Sequence, residues 1–128
     1  MAEGNGPAQD ETAGIREDPV TGIERNGSSV VVSLAGELDL YNAHALREAL
    51  LECCGEAPER LVVDLTEVKF IDSTALGVLI EIRAKLNNRD GLLLAAPGLE
   101  TRRALEVSGL DKLFVVRDSV QDALGAKV

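Results

Sequence analysis

The chain has 128 residues, 45% hydrophobic and 27% charged, the size and balance of one soluble domain that can bury a core without disulfides or a metal. Its 13 basic and 22 acidic residues leave a formal charge of −9, which counts against phosphate backbones and anionic lipid headgroups as partners, so neither nucleic acid nor a membrane is expected. No apolar run approaches the roughly 18 residues of a spanning helix, the N-terminus lacks a signal peptide's pattern, and a 2% aromatic content is too low to stack bases, so a cytoplasmic protein with an aliphatic core is expected.

Residues 1–20 carry Glu3, Asp10, Glu11, Glu17 and Asp18 against Arg16, with several Gly and Pro and almost no large apolar side chain. Such a segment cannot offset its ordering entropy and reads as a disordered acidic tail, leaving residues 21–128 as the domain. Asn26-Gly27 is a strong hairpin signal, and the run Val30 to Ala35 after it reads as the second strand of an antiparallel pair. Beyond Gly36 the period changes. Asn42 is placed as an N-cap, and Ala43, Leu46, Ala49, Leu50 and Cys53 recur at helical spacing until Gly55 stops the helix. Cys53 thus extends the apolar stripe and Cys54 flanks it, which suits a reducing compartment.

Leu61 to Leu65 reads as a short buried strand. A helix opens near Asp72-Ser73 and runs through Leu76, Leu79, Ile80 and Leu86 to Asn87-Asn88, with Arg83 snorkelling from its apolar stripe. Leu92 to Ala95 is a strand closed by Pro97, and the helix after it ends at Gly109 with Leu105 set to pack on Leu110. Phe114 to Val116 is the last strand, and Asp118-Ser119 caps a final turn ending near Leu124. Strands that read as apolar runs, alternating with helices, specify an α/β fold with a mainly parallel sheet.

In such sheets the functional crevice lies beyond the carboxyl ends of the strands, so the segments after Ala35 (Gly36 to Asp39) and after Leu65 (Thr66 to Thr74) should meet on one side. Ser73 stands at a helix start, where unpaired amides and the dipole suit an anion such as a phosphoryl group; equally, it can be a plain cap. Asp39 and Asp64 taken singly read as solvated carboxylates. A serine hydrolase would need a base, yet His44 is the only histidine and Gly-x-Ser-x-Gly is absent around Ser73. A phosphate-binding glycine loop is missing, the acids have no Mg²⁺ spacing, and Cys53-Cys54 lack the partners of a zinc site, so no cofactor or metal is expected. What remains is an acidic α/β binding module with a phosphorylatable hydroxyl at a helix start and no catalytic constellation.

Val62-Val63-Asp64-Leu65-Thr66 followed by Phe70-Ile71-Asp72-Ser73-Thr74-Ala75-Leu76-Gly77-Val78-Leu79 resembles the signature of bacterial anti-sigma factor antagonists of the STAS domain family. Gly36-Glu37-Leu38-Asp39 and Ser108-Gly109-Leu110-Asp111-Lys112-Leu113-Phe114 resemble the family's other two hallmarks, and the likeness spans residues 22–124. The resemblance implies a single domain with a mixed, mainly parallel sheet flanked by helices, and a role in partner switching. The unphosphorylated antagonist would bind an anti-sigma factor, often itself a serine kinase, so that a sigma factor is released. Phosphorylation of the matching serine, Ser73, would end that binding, and a serine phosphatase would restore it. By the same resemblance Asp39, Asp72 and Thr74 belong to the partner-facing surface. Ala75 departs from the family's usual Gly, and a kinase that approaches the backbone closely would meet its methyl. The alternative is a STAS module serving as a scaffold, or as a subunit of a transport or stress-sensing assembly, without phosphorylation control.

Overall fold

The computed structural model describes residues 18–127. The expected disordered tail lies outside these apart from Asp18, Pro19 and Val20. Asp18 Oδ1 accepts from the Val20 N–H, the Pro19 carbonyl accepts from the Ala35 N–H, and Val20 already opens the first strand. Strands β1 (Val20–Asn26), β2 (Ser29–Leu38), β3 (Arg60–Ile71), β4 (Leu92–Ala95) and β5 (Val115–Arg117) form one sheet in the order 1-2-3-4-5. β1 is antiparallel to β2 and every other pair is parallel, the mixed, mainly parallel sheet expected. Gly27 and Ser28 form the hairpin turn, with positive φ at Gly27, the first central position. That is the type II′ pattern, so Asn26 ends the strand instead of entering the turn.

Helices α1 (Ala43–Gly55), α2 (Ser73–Lys85), α3 (Leu99–Ser108) and α4 (Val120–Leu124) complete the fold. Strand residues at every second position divide the core. Val30, Val32, Leu34, Leu61, Val63, Leu92 and Leu94 join Leu46, Leu50 and Cys53 of α1, Leu76, Leu79 and Ile82 of α2 and Leu105 of α3 in one cluster. Val31, Val62, Leu93 and Ala95 form a smaller one with Ala123 of α4 and Ala126, against which the partly buried Val115, Val120 and Leu124 pack. Full burial of each leucine contributes about 1.5–3 kcal/mol, so the first cluster holds most of the stability. Arg47 of α1 clamps Glu81 of α2 with two 2.8 Å hydrogen bonds, which hold the glutamate below its ordinary carboxylate range. Cys53 is buried and Cys54 half-buried as expected, and burial pushes both thiols up, away from reactive thiolate.

Several boundaries move for local reasons. Gly55 lies within α1, whose chain reverses at Ala57, the residue with positive φ there. α2 ends at Lys85, short of Asn87-Asn88, and Ile80 is exposed while its neighbours Val78 and Leu79 are buried. Arg83 does snorkel, reaching Asp90 at 3.7 Å. Gly109 is left-handed and its N–H donates to the Glu106 and Leu105 carbonyls, the stop read from the sequence, and Leu110 packs against the cluster that contains Leu105. β5 begins at Val115 because Phe114 turns into the main core. Ser119 caps α4 by accepting from the Asp122 N–H at 3.0 Å.

The largest revision concerns β3, which continues six residues past Leu65 to Ile71, while β2 continues three past Ala35 to Leu38. The β2–β3 register slips twice, from Ser33↔Asp64 to Ala35↔Glu67 and from Gly36↔Val68 to Glu37↔Phe70. Each slip places one extra residue in β3 and advances the inward phase by one. The buried residues therefore fall at Leu65, Val68 and Ile71, a spacing of three that no regular strand gives. Asp64 supports the first slip by accepting from both the Thr66 N–H and the Thr66 hydroxyl.

Candidate functional site

Because β2 and β3 are parallel and in register at Leu38↔Ile71, both chains leave the sheet side by side. The Asp72 N–H donates to the Leu38 carbonyl at 2.9 Å, which carries the ladder one step further and sets Asp72 beside the loop that begins at Asp39. The two segments singled out in the sequence do meet, as strand ends rather than as the expected loops.

Asp72, and not Ser73, is the N-cap of α2. Its extended backbone puts Oδ1 within 3.0 Å of the Ala75 N–H, a bond worth about 1 kcal/mol to the helix. Oδ2 faces the other way and accepts from the Leu40 N–H at 3.2 Å. One carboxylate thus ties the start of α2 to the β2–α1 loop. The expectation that Ser73 can be a plain cap is corrected: it is the first helical residue, exposed, and its hydroxyl makes no hydrogen bond among the described residues. Thr74 is exposed beside it. Ala75 is buried in the main core, so its methyl fills packing space there.

Asn42 stands at the N-cap position of α1 but does not cap it. Its amide is turned back into the loop: Oδ1 accepts from the Asp39 N–H at 2.9 Å and Nδ2 donates to the Glu37 carbonyl at 2.7 Å. Asp39 Oδ1 accepts from the Tyr41 N–H at 3.0 Å, and the Asp39 carbonyl accepts from the Asn42 N–H at 3.2 Å. Every backbone N–H from Asp39 to Asn42 is therefore held. Asp39, Asp72, Ser73 and Thr74 are brought to one rim, whereas Asp64 is spent on the β3 slip, and His44 is an exposed residue of the first turn of α1. Around this rim stand apolar side chains that sequence reasoning left out: Leu40 is 66% exposed, Tyr41 73% and Phe70 49%. The pattern held one usable signal, since Phe70 sits next to inward-facing Ile71 and so must face out.

The model of the STAS domain matches residues 21–123. The chain belongs to the STAS domain family. This STAS domain is 38% identical over 105 residues to the anti-sigma-F factor antagonist RsfB of Mycobacterium tuberculosis, covering 82% of this chain and 85% of that one. It is 34% identical to the anti-sigma-B factor antagonist of Listeria monocytogenes, over 74% of this chain and 84% of the relative. The crystal structure of an anti-sigma factor antagonist from Mycobacterium paratuberculosis superposes with a TM-score of 0.75 at 36% identity, over 80% of this chain and 87% of the other. Among the described residues of this STAS domain no helix is long and apolar enough to cross a membrane, and no group of three or more His, Cys, Asp or Glu is placed to hold a metal ion.

Proposed function

We propose that this chain is an anti-sigma factor antagonist, a cytoplasmic binding protein and not an enzyme, whose partner is an anti-sigma factor with serine kinase activity. In its unphosphorylated form the rim around Ser73 docks on the anti-sigma factor and a sigma factor is released. Phosphorylation of Ser73 ends the complex, and a serine phosphatase restores it. Asp39 and Thr74 face the partner beside Ser73.

One observation carries the switch. The cap of α2 is supplied by Asp72, so the Ser73 hydroxyl is exposed and has no structural duty to lose on modification. A phosphate there adds about −1.5 to −2 charges at a helix N-terminus, where the dipole favours negative charge by roughly 0.3–1 kcal/mol, so the free domain tolerates it. In the complex the same group would be stripped of water beside Asp72 and near Asp39, and each 1.4 kcal/mol of repulsion and desolvation weakens binding about tenfold. The test is binding of Ser73→Ala and Ser73→Glu chains to the anti-sigma-F factor of Mycobacterium tuberculosis. Ser73→Ala should bind as the unmodified chain does and Ser73→Glu more weakly at nearly unchanged melting temperature. Equal affinity of the two variants would contradict the switch.

A further inference from the structure

One border of the sheet is β1, a seven-residue strand with no strand beyond it among the described residues. Its hairpin turn is the two residues Gly27 and Ser28, so Asn26 and Ser29 close it as a pair that exchanges both backbone hydrogen bonds. The alternation of an antiparallel ladder then turns the Glu24 backbone towards β2 and leaves the N–H and C=O groups of Ile23 and Arg25 pointing out of the edge. Such a row is a template for another strand, and proteins commonly block it with lysine, proline or a covering element. β1 contains neither lysine nor proline, and every residue from Thr21 to Asn26 is exposed. Its two charges, Glu24 and Arg25, cancel, so this edge is neutral in a chain of −9. The register slip between Val20 and Gly22 lies at its start and leaves Ile23 to Asn26 regular.

We infer that β1 pairs antiparallel with β1 of a second copy about a two-fold axis through Ile23, joining the two sheets into one. Opposed residues share a face, so the axis must pass through a residue that meets itself. At Glu24 or Arg25 it would set like charges against each other, which is destabilising, and at Gly22 it would centre the pairing on the slip. At Ile23 it sets isoleucine against isoleucine, Arg25 against Thr21 and Glu24 against Gly22. Ile23, 37% exposed, lies on the same face as its β2 partner Val32 and would be covered by its own copy. Arg25 is drawn to Glu56 at the end of α1. Gly22 has no positive φ, and an added Cβ would meet nothing within 4 Å, so the chain's own packing does not call for glycine there; opposite Glu24 it leaves that side chain room.

In this pairing β2 of one copy runs opposite to β2 of the other, so the two Ser73 rims stand at opposite ends of the joined sheet. The dimer is bivalent, whatever docks on the rim.

Full-length wild type, Ile23→Lys and Ile23→Glu chains test this by sedimentation equilibrium over a range of concentrations, with amide hydrogen exchange alongside. The wild type should shift from the mass of one chain to that of two as concentration rises. Exchange at the Ile23 amide should slow with it, while the Glu24 amide, already turned towards β2, keeps its rate. Each variant alone sets like charges face to face and should stay at the mass of one chain with a near-wild-type melting temperature. An equimolar mixture of the two should recover the doubled mass, because position 23 then meets its opposite charge. A wild type that stays at the mass of one chain overturns the pairing. A variant that dimerises alone as the wild type does overturns it by placing the contact elsewhere, and a mixture that stays at the mass of one chain overturns the register.

Discussion

The molecule uses its apolar side chains in two opposite ways. Between the helices and the sheet, leucines such as Leu46 and Leu50 of α1, Leu79 of α2 and Leu65 of β3 are fully buried. At the carboxyl end of the same sheet, Leu40 and Phe70 are left largely exposed. The first arrangement gains stability from area removed from water; the second gains none until a partner covers it. Stability thus rests with the first set, and substitutions in the two regions should separate them.

The sharpest way to break that separation is in the core. Leu79→Ala should lower unfolding free energy by about 2–5 kcal/mol, read from urea unfolding, because the close-packed interior around α2 cannot collapse into the space. Binding per folded molecule should stay as it is. A Leu79→Ala chain that keeps its stability would mean that the large cluster is not what holds the fold.

A smaller effect of opposite sign is expected at Thr101, whose hydroxyl is buried without a hydrogen-bond partner. Thr101→Val keeps the branched shape and removes the desolvation cost, so the melting temperature should rise by the equivalent of about 1 kcal/mol.

Glu81 gives the pH dependence. Arg47 donates two hydrogen bonds to it and holds it below the ordinary carboxylate range. A carboxylate lowered by folding contributes stability that is present above its unfolded value and lost as pH falls through the folded one. The loss should therefore begin below about pH 4.3, the ordinary glutamate value. The pair is part-exposed, so the effect is modest and screened by salt. Denaturant midpoints between pH 5 and pH 2.5 should fall less steeply for Glu81→Gln than for the wild type.

The smallest stability effect belongs to the rim. Leu40→Ala should leave unfolding free energy within about 0.5 kcal/mol of the wild type, the usual range for surface positions. A larger loss would place that side chain with the core and erase the contrast between the two regions.

Legibility in the sequence followed the same division. Helical spacing in α1 and α2, the Gly27 hairpin and the Gly109 stop are local signals, and each produced its element. β3 beyond Leu65 was hidden because its two register slips turn the alternation of a strand into the spacing Leu65, Val68, Ile71. Asn42 illustrates a second limit. A side-chain amide at a helix start can bond forward to the helix or backward to the loop, and here the backward partners Asp39 and Glu37 win. The exposure of Leu40 was invisible for a simpler reason: apolar residues are read as interior by default, and the bond from the Leu40 N–H to Asp72 is tertiary.

Ser73 is proposed to switch binding without switching the fold, and calorimetric titration can separate the two. The full chain carrying phosphoserine at position 73, and the same chain unmodified, would be titrated against the anti-sigma-F factor of Mycobacterium tuberculosis, with melting curves taken alongside. The unmodified chain should bind, phosphorylation should cost at least about a hundredfold in affinity, equivalent to roughly 2.7 kcal/mol, and the melting temperatures should agree within a few degrees. Undiminished affinity of the phosphorylated chain, or a lost complex explained by a collapsed melting temperature, would contradict it.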